Sequence, residues 1–193
     1  MKKLIATAIL SLIVVSGWAQ GTVDFRNGGI TFRSVAERRV FDVDGTTPLV
    51  GVNYVAQLFY VAGASADLSH ALASGTPVTF RVATTLSKGI WLPTSLGNTS
   101  PIRILDGVGE NGTATLQVRV WDITKFQSYD AAKAAGGLTG ASAPFAYTVP
   151  AAGNQPDAYY MDNLRGFALV PEPSTIALGV LGLGSLLLFR RRK

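Results

Sequence analysis

His70 is the only histidine in the chain. Flanked by Ser69 and Ala71, it could serve a serine nucleophile as general base, since an imidazole is the usual proton acceptor in such a triad. No Gly-x-Ser-x-Gly elbow accompanies it, and a solvent-facing turn is the simpler reading. Asp42-Val43-Asp44-Gly45 places carboxylates at alternate positions before a glycine, as fragments of calcium loops do. Thr46, Thr47 and Pro48 follow where further acids would be needed, so a strand end entering an Asp-Gly turn explains the run more simply. Asp42, Asp44, Asp106, Glu110, Asp122 and Asp130 could supply the carboxylate pair of a glycoside hydrolase, although none sits in a distinctive motif. Trp91, Trp121, Tyr54, Tyr60, Tyr159 and Tyr160 could offer aromatic faces to sugar rings, or could simply pack a core. No catalytic residue, metal ligand or cofactor is assigned on these grounds.

Composition narrows the field further. The 193 residues carry a formal charge of +5. Lys2, Lys3, Arg190, Arg191, Arg192 and Lys193 account for that excess, because removing them together with Glu172 leaves equal numbers of cations and acids. The middle of the chain is therefore neutral, with no basic stripe for a phosphate backbone, and nucleic acid is not an expected partner. The chain contains no cysteine, which removes disulfides, thiolate metal sites, a cysteine nucleophile and a lipid-modified cysteine together.

The elements that must position these residues read mainly as strands. Period-two alternation of polar and apolar residues marks Thr22–Arg26, Val78–Val82 and Leu116–Val120. Arg39–Val43, Val52–Val61, Ile102–Leu105, Phe145–Val149 and Gly166–Leu169 are further candidates, and Val52–Val61, apolar on both faces, should lie centrally. Asn27-Gly28-Gly29, Asp44-Gly45, Gly97-Asn98 and Glu110-Asn111-Gly112 supply the turns. Phe126–Ala135 predicts a short surface helix stopped by Gly136-Gly137, and Asp67–Ala73 a helical turn. Thr99–Pro101 and Gly136–Ala143 read as loops. The fold class expected is all-β: an antiparallel β-sandwich or jelly-roll-like ectodomain of about eight strands with a short surface helix. Leu116, Val118 and Val120 should face inward, with Arg119 outside and tolerant of Asp.

Both ends read as targeting segments. Lys2 and Lys3 precede the apolar run Leu4–Val15, and Gly17 and Ala19 place small residues before a cleavage between Ala19 and Gln20, the pattern of a secretory signal peptide. At the other end Ile176–Phe189 is uncharged, and Arg190, Arg191, Arg192 and Lys193 follow. A helix over 174–189 would be about 24 Å long at ~1.5 Å per residue, short for a transmembrane helix but within reach of snorkelling arginine stems. The cations form a membrane stop on the cytoplasmic side. The domains expected are a signal peptide at 1–19, an ectodomain at 20–170 and a tail at 171–193.

Pro171-Glu172-Pro173, followed by the short apolar run and the cationic cluster, resembles the PEP-CTERM sorting signal of Gram-negative bacteria. The resemblance covers Val170–Lys193. It implies an exosortase-type membrane protease/transpeptidase as partner, with an exopolysaccharide as a further expected partner. Leu116–Asp122 and Ala56–Tyr60 are more loosely similar to ectodomains of verrucomicrobial-type PEP-CTERM proteins, a group without an established activity. The function expected is a non-enzymatic cell-envelope or extracellular-matrix protein. It would be exported, held in the cytoplasmic membrane with the ectodomain outside, and then processed. A carbohydrate-binding module of the same fold and a hydrolase with an unrecognised carboxylate pair are the alternatives.

Overall fold

A computed structural model describes residues 20–29, 35–82 and 87–171. The expected signal peptide, and the tail from Glu172 onward with its membrane helix, lie outside the described residues. Among the described residues no helix is long and apolar enough to cross a membrane.

The longest ladder is the antiparallel pair of β3 (Tyr54–Ala62) and β6 (Thr113–Asp122), whose register runs from Tyr54↔Asp122 to Ala62↔Ala114. Side chains alternate across a strand, so Ala56↔Val120, Leu58↔Val118 and Tyr60↔Leu116 meet on one face, and all six are buried in the main core. Val55↔Trp121, Gln57↔Arg119 and Phe59↔Gln117 share the other face. β4 (Leu72–Thr79) extends the sheet beyond β3, with a register shift between Ala56 and Leu58. β7 (Leu138–Ala141) and β8 (Phe145–Thr148) lie in tandem along the far side of β6. Ser142 bridges the break between them. Its backbone N–H donates to Val118 O, and its Oγ accepts from Val118 N at 3.0 Å. β10 (Val170–Pro171) completes the six-stranded sheet, beyond β7.

Two short pairs close the core. β1 (Gly21–Asp24) runs antiparallel to β5 (Ile102–Leu105), and β2 (Val40–Phe41) runs parallel to β9 (Phe167–Ala168). Phe25 stacks on Trp91 at 4.8 Å between centroids, Phe80 meets Trp91 edge-on, and the Arg103 guanidinium lies 5.3 Å from the Phe25 ring centre. Fully buried Asn27 joins three segments. Its Nδ2 donates to Arg38 O and Gly89 O, while its Oδ1 accepts from Trp91 N.

The all-β reading holds, and Val52–Val61 lies centrally, between β4 and β6. The pairing consists of one curled six-stranded sheet and two short pairs. The β2–β9 pair is parallel, which the long chain between Phe41 and Phe167 permits. Residues 67–73 do not form the expected helical turn. Asp67 accepts from Ser69 N in a tight turn, and β4 starts at Leu72. Gly136–Ala143 is not a loop throughout, because it contains β7. Gly140 lets the neighbouring segment close over that strand, since a Cβ there would stand 3.0 Å from Leu169 Cδ2. The helix, α1 (Tyr129–Ala134), is shorter than expected. Ser128 caps it by accepting from Ala131 N, and Tyr129 and Ala132 are buried on the outer sheet face beside Val55 and Trp121.

Arg119 also differs from expectation. Its guanidinium carbon lies 4.4 Å from the Phe59 ring centre and 5.1 Å from that of Tyr129, and Nη2 donates to Leu68 O at 3.0 Å. Each cation–π contact of this kind is worth about 0.5–1 kcal/mol or more. Val118→Asp should prevent folding of residues 20–171, because a buried unpaired carboxylate costs several kcal/mol of a total near 5–15. Arg119→Asp should lower stability by about 1–3 kcal/mol rather than be silent. Urea unfolding followed by tryptophan fluorescence measures both, and an unchanged midpoint for Arg119→Asp would refute the packing role.

Candidate functional site

The polar residues singled out from the sequence mostly hold turns. His70 is exposed, and the nearby Asp67 carboxylate is engaged by Ser69 N at 2.8 Å. Asp44 Oδ1 accepts from the backbone N–H groups of Thr46 and Thr47, and its Oδ2 accepts from Thr47 Oγ1 at 2.6 Å. Both oxygens thus stabilise the Asp-Gly turn, and those bonds hold the carboxyl well below its usual range. Asp42 Oδ1 accepts from Val43 N. Asp122 Oδ1 accepts from Thr124 N and Oγ1, and its Oδ2 lies 3.2 Å from Lys125 Nζ. Desolvation pushes the Asp122 carboxyl up, but the bonds from Thr124 and Lys125 outweigh it and lower the pKa. Asp106 and Glu110 accept from Gln20 Nε2 and Ala152 N. Among the described residues no cluster of three potential metal ligands occurs.

The aromatic residues are placed for packing. Trp91, Trp121, Tyr60 and Tyr159 are buried, and Tyr54 and Tyr160 are partly covered. The large exposed apolar side chains among the described residues are all aliphatic. Among the described residues, open cavities lie beside Glu37, Asp130 and Asp106, each lined by that one carboxylate. One of about 530 Å³ holds Glu37 beside Phe41 and Arg165, and one of about 400 Å³ holds Asp130 beside Arg119 and Lys133. The third, of about 370 Å³, holds Asp106 beside Ser74, Asn98 and Arg103.

Arg103 is a residue the sequence conceals. Ile102-Arg103-Ile104-Leu105 suggests an outward arginine, yet Arg103 is only 4% exposed while Ile104 is 49% exposed. Its Nη1 donates to Ser100 O and Ile102 O, and its Nη2 to Pro93 O. Burial lowers its pKa, with the Asp24 charge opposing. These contacts tie β5 to the loop before it, a structural role.

The remaining candidate is the point where the chain leaves the sheet. Gly166 N donates to Glu37 O, Phe167 N to Arg39 O and Leu169 N to Phe41 O, so this segment is held against β2. A Cβ on Gly166 would lie 2.7 Å from Arg39 O, so the close approach requires glycine. Leu169 is then buried at 1% exposure, whereas Val170 is 53% exposed. Val170 pairs with Thr139 and Pro171 with Leu138 on the sheet edge. Pro171, the first residue of the tripeptide, is therefore part of β10. Glu172, Pro173 and the cations Arg190, Arg191, Arg192 and Lys193 lie outside the described residues. So does Ala19, while Gln20 is exposed immediately before β1.

Residues 169–193 match the family model for the PEP-CTERM protein-sorting motif. No curated protein and no solved structure matches the chain. The motif marks an exported protein sorted by an exosortase, a membrane protein. The match begins at buried Leu169, between β9 and β10, so its first residues overlap the last strand of the sheet.

The turn carboxylates give a dependence on acid. Asp44, Asp67 and Asp122 all have folded pKa values below their ordinary ones. Such groups contribute stability that is complete above the unfolded pKa and is lost as pH falls through the folded value. The urea midpoint should therefore be flat from about pH 7 to 5 and fall below about pH 4. Asp44→Asn should shallow that acid limb, and an identical limb in the variant would contradict the assignment.

Proposed function

We propose that the chain is a non-enzymatic cell-envelope or extracellular-matrix protein whose ectodomain, residues 20–170, is a structural or interaction module delivered to its place by the tail. Residues 1–19 act as a removable export signal. Residues 174–189 hold the chain in the cytoplasmic membrane with the ectodomain outside, and Arg190–Lys193 form the stop. Pro171, Glu172 and Pro173 are the element the exosortase recognises, after which the ectodomain reaches the cell surface or the medium. The observation that carries this reading is the sorting-motif match at residues 169–193, whose first residues include the last strand of the sheet. Turn-forming acids and core-packed aromatics support a non-enzymatic ectodomain.

Two measurements test this. The mature N-terminus should be Gln20, one residue before β1. Intact-protein mass spectrometry of the exported form reads this directly, and retention of Lys2 and Lys3 would refute it. Replacing Pro171, Glu172 and Pro173 with alanine leaves the apolar run and cations intact but removes the restricted backbone and the carboxylate. In a host with a working exosortase, the wild type should appear without its tail, and the triple variant should accumulate full-length in the membrane. Equal masses and equal membrane fractions would leave a simple anchor in place of a sorting signal.

A further inference from the structure

We propose that the cavity of about 400 Å³ on the outer sheet face binds the carboxylate of a small polar acid, with Arg119 and Lys133 as its cationic donors. β6 and β7 form its floor, α1 one wall, and the turn at Leu68 and Ser69 the other. Ala141 of β7 stands opposite Arg119 in the register and presents only a methyl group, which leaves the space above it open. The site lies wholly within the ectodomain and is independent of how the tail is processed.

Two features set this cavity apart. Two cations line it against one carboxylate, whereas each of the other two cavities pairs one arginine with one carboxylate. The guanidinium is also fixed before any ligand arrives. It lies against the Phe59 and Tyr129 rings, its Nε donates to Gln117 Oε1 at 2.8 Å, and its Nη2 donates to Leu68 O. Nη1 is left over. Its contact with Asp130 Oδ1 spans 3.9 Å, too long for a hydrogen bond, and the Asp130 side chain is 82% exposed. An exposed carboxylate at that distance holds an arginine weakly. Asp130 therefore marks where a carboxylate oxygen belongs, and yields to one that comes closer. A planar carboxylate suits the edge of a guanidinium, because charge-assisted N–H···O bonds are the strong ones. Lys133, one turn along α1 from Asp130, adds an ammonium on a flexible stem that can follow the second oxygen. Ser69 and Gln117 make the surroundings polar, so the body of the acid carries hydroxyl or amide groups.

Nuclear magnetic resonance of the full chain in a neutral detergent reads the site through the Arg119 Nε–H and the Ala141 backbone N–H. The probes are lactate, a free hydroxy acid, and N-acetylglutamate methylamide, which carries the same group on a peptide backbone. One or both should shift these two signals saturably, and the tighter binder identifies the kind of source. Lactamide, which lacks the charge, and sodium chloride at equal ionic strength should leave them unmoved. Asp130→Asn should tighten binding and Lys133→Gln weaken it, each by about threefold, the size of one exposed charge contact. Both side chains stand on the exposed surface of α1, so neither change threatens the fold. Absence of saturable shifts with either acid, an equal response to chloride, or unchanged affinity in both variants would overturn the site. Tighter binding of inorganic phosphate than of either acid would overturn the carboxylate assignment.

Discussion

One buried side-chain amide carries an unusual share of this architecture. Asn27 has no exposure to water, and its polar atoms meet backbone groups of Arg38, Gly89 and Trp91. A two-stranded pair is marginal in water by itself. The β1–β5 and β2–β9 pairs therefore depend on being fixed to one another and to the six-stranded sheet. Asn27 does this at the exit of β1, binding the start of β2 and the segment that stacks Trp91 on Phe25. Losing such a group would take the acceptor from buried Trp91 N, a loss of about 1–3 kcal/mol, and would remove one donor each from Arg38 O and from Gly89 O, which Val40 N also reaches. That is a large share of the roughly 5–15 kcal/mol typical of a domain.

Legibility in the sequence followed the kind of force at work. β3 and β6 were readable because they follow simple burial: both faces apolar for the central strand, one face for its partner. Ile102–Leu105 was found with its correct bounds, but its orientation was hidden. Alternation predicts that isoleucine goes inward, whereas ring stacking and three carbonyl acceptors draw Arg103 inside. β7 was missed because its glycine and small residues suit a tightly covered strand as well as a loop, and only the approach of Leu169 to Gly140 distinguishes them. The start of β4 was missed for the opposite reason, since Leu72 and Ala73 are exposed on an edge and give no alternation. At the candidate site, the tripeptide and its flanking tail were legible as a linear pattern. Its incorporation into the sheet was not, because a two-residue pairing across about 30 positions leaves no local periodicity.

The distribution of chemistry is consistent with a division of labour along the chain. Asp42, Asp44 and Asp122 bond within their own turns, with both oxygens of Asp44 engaged locally. Aromatic residues that could have formed an open platform are stacked inward or packed beneath α1. The sheet edges are treated differently from each other. Along β4, Ser95 Oγ, Asn98 Nδ2 and Ser74 Oγ make hydrogen bonds that link the strand to its surroundings. This side-chain cover suits an edge that must not recruit another chain. The opposite edge ends in β10 and leads into the sorting motif.

The parallel β2–β9 pair has a consequence for the order in which the domain can close. β2 lies near the start of the ectodomain, and its partner is among the last residues before the tail. The β3–β6 ladder joins residues 54–122, and β2 can bond Leu49 N and Gly89 O, without the last third of the chain. The parallel edge of β2 is filled only by residues 167–168, so the domain is not closed until the residues just before the sorting motif are present.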